Sequence, residues 1–300
     1  MTFRINHSTT YTYEDEVTQS YGLLHMIPRD LPGQTCRSIT IVIDPVPDFY
    51  AEHRDFFGNR VIHFEILKPH RKLSVLSASE VDIDRGGLPA PNGDVPWEAA
   101  RDQLRDSAAG GGAPEAATLD ATQFVLGSSL AFPFPELREY ALMSFTPGRP
   151  TRDALLDLAA RVHDDFRYEP GVTSVATTAE EAFEARVGVC QDFAHLVIGC
   201  LRSLGLAARY VSGYLETTPP PGAARLRGAD ASHAWTALFV PGEGWLDVDP
   251  TNRQYTNDRY TTVAWGRDYG DVPPLKGVIF TEGSAHDLDV VVDVDRLATG

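Results

Sequence analysis

Residues 188–196 read Gly188-Val189-Cys190-Gln191-Asp192-Phe193-Ala194-His195-Leu196, and the fold is organised around this stretch. From Cys190 onward, apolar residues recur at helical spacing as far as Leu204, and Gly205 then supplies a C-terminal stop. The pattern predicts a largely buried helix that begins at Cys190, with Gly188 expected to provide the backbone angles that lead into it. Free amide groups and the helix dipole at that N-terminus favour a thiolate, so Cys190 is a candidate nucleophile.

A thiolate nucleophile needs a proton partner, and a predicted hairpin downstream offers one. Residues 232–240 and 245–252 have the composition of strands, and a Pro- and Gly-rich break separates them. Because side chains alternate along strands, His233 and Asp249 fall on one face of the hairpin. If the loop comprises residues 240–242, the two lie directly opposite each other, whereas a longer loop makes the pair diagonal. A carboxylate beside an imidazole orients it and stabilises its cation.

Asp247 lies on the same face and competes with Asp249 for this role. Asp249 is favoured because Pro250 forces the residue before it into an extended conformation, which suits a fixed carboxylate. His195 is not favoured as the base, since a residue five positions along a helix points about 140° away from Cys190. Cys36 and Cys200 are expected to be inert buried cysteines.

Three motifs carry a family resemblance: G-V-C-Q-D-F-A-H-L at 188–196, S-H-A-W at 232–235 and G-W-L-D-V-D-P-T-N at 244–252. Together they resemble the bacterial transglutaminase-like superfamily. The resemblance implies a papain-like core with Cys190 as nucleophile, His233 as base and Asp249 as orienting acid. Further motifs resemble the β-rich domain that precedes the core in one bacterial branch; they lie at residues 31–34, 44–45, 55–60 and 69–70.

The chain is predicted to be an α+β protein with three segments. Residues 1–85 show short strands with turn residues between them, which predicts a sandwich-like β domain. Residues 86–150 form a linker and helical connector: 86–93 have linker composition, and 98–109 are a candidate polar helix. Residues 151–300 form the papain-like core, with a helix at 152–166, a capping box that starts at Thr178 and a strand at 208–215. Alternation at 288–294 predicts a last strand that closes the core sheet.

Composition limits the partners. The 300 residues include 26 basic and 42 acidic side chains, a net charge of −16, which repels nucleic acid and anionic membranes. Three cysteines are too few for a disulfide framework, and residues 1–6 have no apolar signal core. No apolar run approaches the roughly 20 residues that span a bilayer. These features predict a cytoplasmic protein that binds neither nucleic acid nor membrane.

Metal and phosphate chemistry are not predicted, because the sequence has no C-x-x-C pair, no H-x-x-x-H pair and no glycine-rich phosphate loop after a strand. No cofactor is expected. The prediction is therefore covalent acyl transfer on a peptide or protein amide, through a thioester that water or an amine then releases. Hydrolysis and transamidation are equally compatible with the sequence.

Several details stay open at this stage. The Cys190 backbone amide is one expected oxyanion donor, while Gln191, Tyr168 or another upstream side chain could supply the second. Trp235 and Trp245 either wall the cleft or pack in the core, and the core is favoured. The loop at 217–228 is a connector or borders the active-site mouth. The alternative to an enzyme is a protein-interaction module that retains an idle triad.

Overall fold

The computed structural model describes residues 1–85, 93–109, 115–217, 232–283 and 285–297. The helices in these ranges are α1 (Trp97–Ala108), α2 (Ala116–Ala121), α3 (Pro135–Leu142), α4 (Thr151–Asp165), α5 (Ala179–Ala185) and α6 (Cys190–Ser203). The strands are β1 (Thr2–Leu24), β2 (Gln34–Asp44), β3 (Phe49–Arg54), β4 (Arg60–Ile66), β5 (His70–Ile83), β6 (Arg167–Tyr168), β7 (Val187–Gly188), β8 (Ala208–Leu215), β9 (Ser232–Val240), β10 (Gly244–Asp249), β11 (Gln254–Tyr255), β12 (Tyr260–Gly266), β13 (Leu275–Thr281) and β14 (His286–Leu297). Most of the predicted linker at 86–93 and of the loop at 217–228 lies outside the described residues.

The first part of the chain forms one curled antiparallel sheet around the long strand β1. The first half of β1 pairs with β5 on one edge and β14 on the other, and its second half pairs with β4 and β13. The curl brings the Phe64 ring onto Gly22, where any Cβ atom would lie 2.1 Å from that ring. Only glycine leaves room for this approach.

The C-terminal strand corrects the sequence prediction. Residues 288–294 are a strand, as expected, but β14 pairs with β1 from Thr2 to Tyr13 and does not join the core sheet. Alternating hydrophobicity identifies a strand with one buried face, yet it contains no information about the partner edge. The core is therefore inserted between β5 and β13 of the first sheet, while the predicted domain boundaries stay a prediction.

The core consists of a five-stranded antiparallel sheet, in the order β11-β10-β9-β8-β12, with α6 packed on one face. Tyr210, Ala234 and Leu238 point toward α6, whereas Val211 and Trp235 pack on the opposite face. The Thr236 hydroxyl donates to the carbonyl of Ala194 in α6 at 3.2 Å, which fixes the helix against β9. The predicted fold class, α+β with a cysteine-bearing helix on an antiparallel sheet, is confirmed.

The helices of the core begin and end close to their predicted positions. Before α5, Thr178 Oγ1 accepts from the amide of Glu181 at 3.2 Å, and Glu181 Oε2 accepts from the amide of Thr178 at 2.8 Å, which completes the predicted capping box. After α6, Gly205 adopts a φ of 80°, a left-handed conformation that ends the helix. Strand β12 was missed, because nearly all its residues are buried and show no alternation.

Two side-chain amides of the first domain hold the edge strand β12. Gln34 Oε1 accepts from the amide of Thr262 at 2.8 Å, and Gln34 Nε2 donates to the carbonyl of the same residue at 2.7 Å. Asn59 makes the same pair of contacts with Trp265, at 3.0 and 2.9 Å. Each amide therefore acts as a strand residue would, satisfying backbone groups at the edge of the core sheet.

The Gln34→Ala variant should lose about 2 kcal/mol of unfolding free energy, because the substitution leaves the buried amide of Thr262 unpaired, while the Thr262 carbonyl still accepts from the amide of Arg29. Chemical denaturation of the whole chain measures this change. Gln19→Ala is the matched control, since Gln19 is exposed on β1, and it should change stability by less than about 0.5 kcal/mol. Equal effects of the two variants would contradict a role of the amide in docking the domains.

Candidate active site

Cys190 is the first residue of α6 and is half-buried. The chain reaches it through β7, which pairs in parallel with β6, so that Tyr168 lies beside Gly188. Gly188 is needed here for space: a Cβ atom would lie 2.6 Å from the Cβ of Asp192, and φ is not positive at this residue. The expected reason for this glycine, unusual backbone angles, was therefore wrong.

Asp192 closes the turn that carries Cys190. Its Oδ2 accepts from the amide of Val189 at 2.8 Å and from the hydroxyl of Thr173 at 2.7 Å. Burial raises the pKa of this carboxyl, although the two hydrogen bonds oppose the shift. Sequence reasoning missed Asp192, and an acidic residue at the third position of the helix was the available signal.

His233 lies between Cys190 and Asp249. Its Nε2 donates to Asp249 Oδ2 at 2.7 Å, and the Cys190 side chain is near enough to the imidazole to act on its pKa. Because Nε2 is engaged by the carboxylate, Nδ1 is the nitrogen left for the sulfur. The structure therefore brings together the three residues that the sequence analysis selected from distant parts of the chain.

The hairpin register differs from the simplest prediction. Trp245 pairs with Phe239 and Asp247 with Ala237, so the loop comprises residues 241–243, which is as long as the predicted 240–242 but shifted by one residue. His233 and Asp249 are consequently diagonal neighbours on one face, although the prediction tied this arrangement to a longer loop. Long imidazole and carboxylate side chains span such a diagonal.

Asp249 is completely buried and accepts five hydrogen bonds. Oδ2 accepts from His233, from the Tyr260 hydroxyl and from Asn252 Nδ2, each at 2.7 Å. Oδ1 accepts from the backbone amides of Thr251 and Asn252 at 2.8 and 3.2 Å. Burial by itself would raise the pKa of Asp249, but hydrogen bonds from His233, Asn252 and Tyr260 outweigh it and hold the pKa below its usual value.

The same contacts shift His233 in the opposite direction. Burial lowers the pKa of its imidazole, but the hydrogen bond to Asp249 and the interactions with Asp249 and Cys190 outweigh burial and raise the pKa to about 10. His233 is therefore an imidazolium at neutral pH, with a proton available beside the sulfur. Trp235 and Tyr260 flank the ring, with centroids 6.3 and 6.2 Å from it.

The competing candidates have other partners. Asp247 Oδ1 accepts from the Trp235 indole at 3.1 Å and is not bonded to His233. His195 is fully buried, its Nε2 accepts from the amide of Tyr269 at 3.1 Å, and burial lowers its pKa to about 4. Cys200 is fully buried, which raises the pKa of its thiol. These contacts agree with the packed roles expected for His195 and Cys200.

The tryptophans and the open oxyanion donors also have defined positions. Trp235 is buried in the core as favoured, whereas Trp245 is only partly buried and lines a cavity. Gln191 Nε2 donates to the carbonyl of Val175 at 3.1 Å, so this amide is already engaged. Tyr168 is half-exposed and its ring meets Phe193 edge-on.

Metal ligands and membrane segments can be assessed only for the described part of the chain. Within it, no group of three or more His, Cys, Asp and Glu side chains is placed to hold a metal ion. None of the helices in the same ranges is both long and apolar enough to cross a bilayer.

The raised pKa of His233 predicts how stability depends on pH. Because the pKa of His233 is about 10 in the folded chain and 6.5 for an unperturbed histidine, the stabilisation from the imidazolium is full below pH 6.5 and is lost as the pH rises toward 10. Asp249→Asn removes the carboxylate, so the pKa of His233 should fall and the loss across this interval should shrink. Denaturation across the interval in a Cys190→Ala background, which removes the thiol, measures the difference.

Asp247→Asn is the control for this experiment, because Asp247 contacts Trp235 and not His233. It should leave the pH dependence between 6.5 and 10 unchanged. If both variants flatten the dependence equally, the shift of His233 does not come from Asp249.

Comparisons with known proteins follow the same division of the chain. A model of the bacterial transglutaminase-like N-terminal region matches residues 3–82, and a model of the transglutaminase-like superfamily core matches residues 143–250. The uncharacterized protein Rv2569c of Mycobacterium tuberculosis is 44% identical over 97% of this chain and 92% of its own length. A protein-glutamine gamma-glutamyltransferase of Pseudomonas aeruginosa is 36% identical over 93 residues, which are 30% of this chain and 14% of that protein.

The fold also matches a solved structure. The crystal structure of a candidate cysteine protease from Cytophaga hutchinsonii aligns with a TM-score of 0.75 and 20% identity, covering 100% of this chain and 92% of that one. The chain belongs to the transglutaminase-like superfamily, with a bacterial transglutaminase-like N-terminal region ahead of the core.

Proposed function

We propose that the chain is a cysteine-dependent enzyme that transfers or hydrolyses acyl groups at peptide or isopeptide amides. Cys190 is the nucleophile, His233 moves the proton, and Asp249 orients and charges the imidazole. The observation that carries the proposal is the position of His233, which is bonded to Asp249 at 2.7 Å and lies near enough to the Cys190 side chain for the two groups to interact. Membership of the superfamily supports it.

The first half-reaction forms a thioester. Cys190 Sγ attacks the carbonyl carbon of the amide, and the carbon–oxygen double bond opens to a tetrahedral oxyanion. The His233 imidazolium then gives its Nδ1 proton to the leaving nitrogen, the carbon–nitrogen bond breaks, and the amine departs. Asp249 stays ionised throughout, because its hydrogen bonds hold its pKa low.

The second half-reaction reverses the proton flow. Water or an amine attacks the thioester carbon and gives a proton to the neutral His233, and the carbon–sulfur bond breaks to return Cys190. Water releases a carboxylic acid, and an amine releases a new amide. The names of similar proteins support both outcomes, since one is a glutamyltransferase and the other a candidate protease.

Two donors are proposed for the oxyanion. The backbone amide of Cys190 lies at the free N-terminus of α6, where helix amides have no partner within the helix. The Tyr168 hydroxyl is the second donor, because Tyr168 lies beside Gly188 and next to Cys190, while the amide of Gln191 is engaged by Val175.

The substrate and the cellular setting complete the proposal. A peptide or protein with an amide acyl donor is the substrate class, and no cofactor takes part in these steps. The net charge of −16 disfavours nucleic acid and anionic membranes as partners. Three free cysteines support a reducing compartment, and the cytoplasm is the proposed location.

Cys190→Ala should abolish turnover of a peptide amide while the thermal unfolding midpoint changes little, since the side chain is only half-buried. Cys200→Ala is the matched control, because Cys200 lies on the same helix but is fully buried. It should keep the activity and lose about 1 kcal/mol or more of stability from the cavity. Full turnover in Cys190→Ala would end the proposal.

The covalent intermediate gives a second prediction. Rapid quenching of a reaction with a peptide library, followed by mass spectrometry, should show an acyl adduct on Cys190 and none on Cys36 or Cys200. Adding a primary amine should divert product from acid to amide if the enzyme is a transamidase. A chain that acquires no adduct and turns over no peptide would be the interaction module instead.

A further inference from the structure

A cavity of about 390 Å³ opens on the side of the core sheet that faces away from α6. Its walls come from three parts of the chain: the Phe56-Phe57 turn of the first domain, the connector around α2, and strands β8, β10 and β12. Cys190, His233 and Asp249 do not line it. Its volume falls in the range of small-molecule sites, roughly 300–1,000 Å³.

Arg209 of β8 lies in this cavity between two indole rings. Its guanidinium carbon is 3.9 Å from the ring centroid of Trp245 and 3.7 Å from that of Trp265. Arg29 lies 3.5 Å from the Trp265 ring as well, and two guanidinium groups this close to one ring must occupy its opposite faces. Indole and guanidinium planes therefore alternate in four layers, which fixes the orientation of Arg209.

The Arg209 guanidinium makes no hydrogen bond to any described residue, and its Nε is buried without a partner. The residue is only 8% exposed, and burial lowers the pKa of its guanidinium to about 9. A buried charged donor without an acceptor is costly, so unpaired donors in this position need an explanation.

Two other arginines show how this chain treats a guanidinium with a structural role. Arg202 is 4% exposed, and all its nitrogens donate to protein acceptors. These acceptors are the carbonyls of Phe124, Ala131, Ala208 and Arg267 and the hydroxyl of Ser128. Arg29 donates to the carbonyl of Phe57 and to Asn59 Oδ1. Arg209 is buried like Arg202 and stacks on the same Trp265 ring as Arg29. Unlike both, it has no hydrogen-bond acceptor for its guanidinium among the described residues.

The nearby charges restrict which anion fits. Asp247 shares the row of Arg209, since both residues pair with Ala237 from opposite sides. Its carboxylate lies beyond ion-pair distance of Arg209 and accepts from the Trp235 indole, and Asp120 lies on the exposed rim. One unpaired guanidinium with acidic neighbours favours a single negative charge over a dianion such as phosphate.

We infer that this cavity binds an organic carboxylate that bears a flat apolar group. The fork of Arg209 donors matches the two oxygens of a carboxylate, and the stack holds that fork in place before the ligand arrives. The rings of Phe57, Phe124, Trp245 and Trp265 provide flat apolar walls for the rest of the ligand. The site is separate from the thiol chemistry, so its test reads binding and not turnover.

The test compares phenylacetate with phenylacetamide, which has the same shape without the charge. Phenylacetate should quench the tryptophan fluorescence and raise the unfolding temperature of the full chain, and phenylacetamide should do so at least tenfold more weakly. Arg209→Met should lose both responses while the chain stays folded, because the Met side chain keeps apolar volume between the two indole rings and carries no charge. Arg105→Met, on the exposed surface of α1, is the matched control and should bind as the parent does.

Ala117→Phe gives a second variant in case Arg209→Met fails to fold. Ala117 lines the cavity from the exposed side of α2, so a larger side chain fills the space and leaves Arg209 in place. It should also abolish phenylacetate binding. The inference is overturned if phenylacetate does not bind the parent chain, if phenylacetamide binds equally well, or if either cavity variant retains the response.

Discussion

A carboxylate with no contact with water must have its charge balanced by hydrogen bonds, and Asp249 imposes this constraint on the whole core. Three separate elements donate these hydrogen bonds. The turn after β10 provides two backbone amides and the Asn252 side chain, β12 provides the Tyr260 hydroxyl, and β9 provides His233. Because unsatisfied buried acceptors are costly, the hairpin, the turn and the edge strand can take only one mutual arrangement. The imidazole is held where it reaches the sulfur as a result of that arrangement.

The first domain contributes to this arrangement from a distance. Tyr260 lies at the start of β12, and Gln34 pairs with the backbone of Thr262 two residues later on the same strand. Asn59 pairs with Trp265 farther along. The edge strand that delivers a hydrogen bond to Asp249 is therefore held on its other side by two amides of the N-terminal sheet. This gives that sheet a physical role in the core, in addition to its own fold.

The sequence predicted the parts of this structure that depend on local patterns. Helical spacing located α6 with Cys190 at its first residue, and a capping box located α5, because both signals lie within a few residues. The hairpin was predicted with His233 and Asp249 on one face, but its loop is shifted by one residue from the predicted position, because the turn geometry sets the register and could not be predicted. Which side chains satisfy Asp249 could not be predicted, since Tyr260 comes from a strand whose uniform burial hides its period. The stack of Arg209 on Trp245 and Trp265 could not be predicted either, because its members come from different strands that only the tertiary fold brings together.

The pairing of β14 with β1, which the sequence did not predict, has a consequence for biosynthesis. One edge of β1 is completed by β14, and the entire core is translated between these two strands. During translation that edge has no partner from its own chain until β13 and β14, which follow the core, leave the ribosome. An unpaired edge is a template for foreign strands, so the nascent chain is exposed to aggregation while the core is being translated. Closure of the N-terminal sheet thus has to wait for translation of the core, and a ribosome that stalls within the core leaves the first domain unfinished.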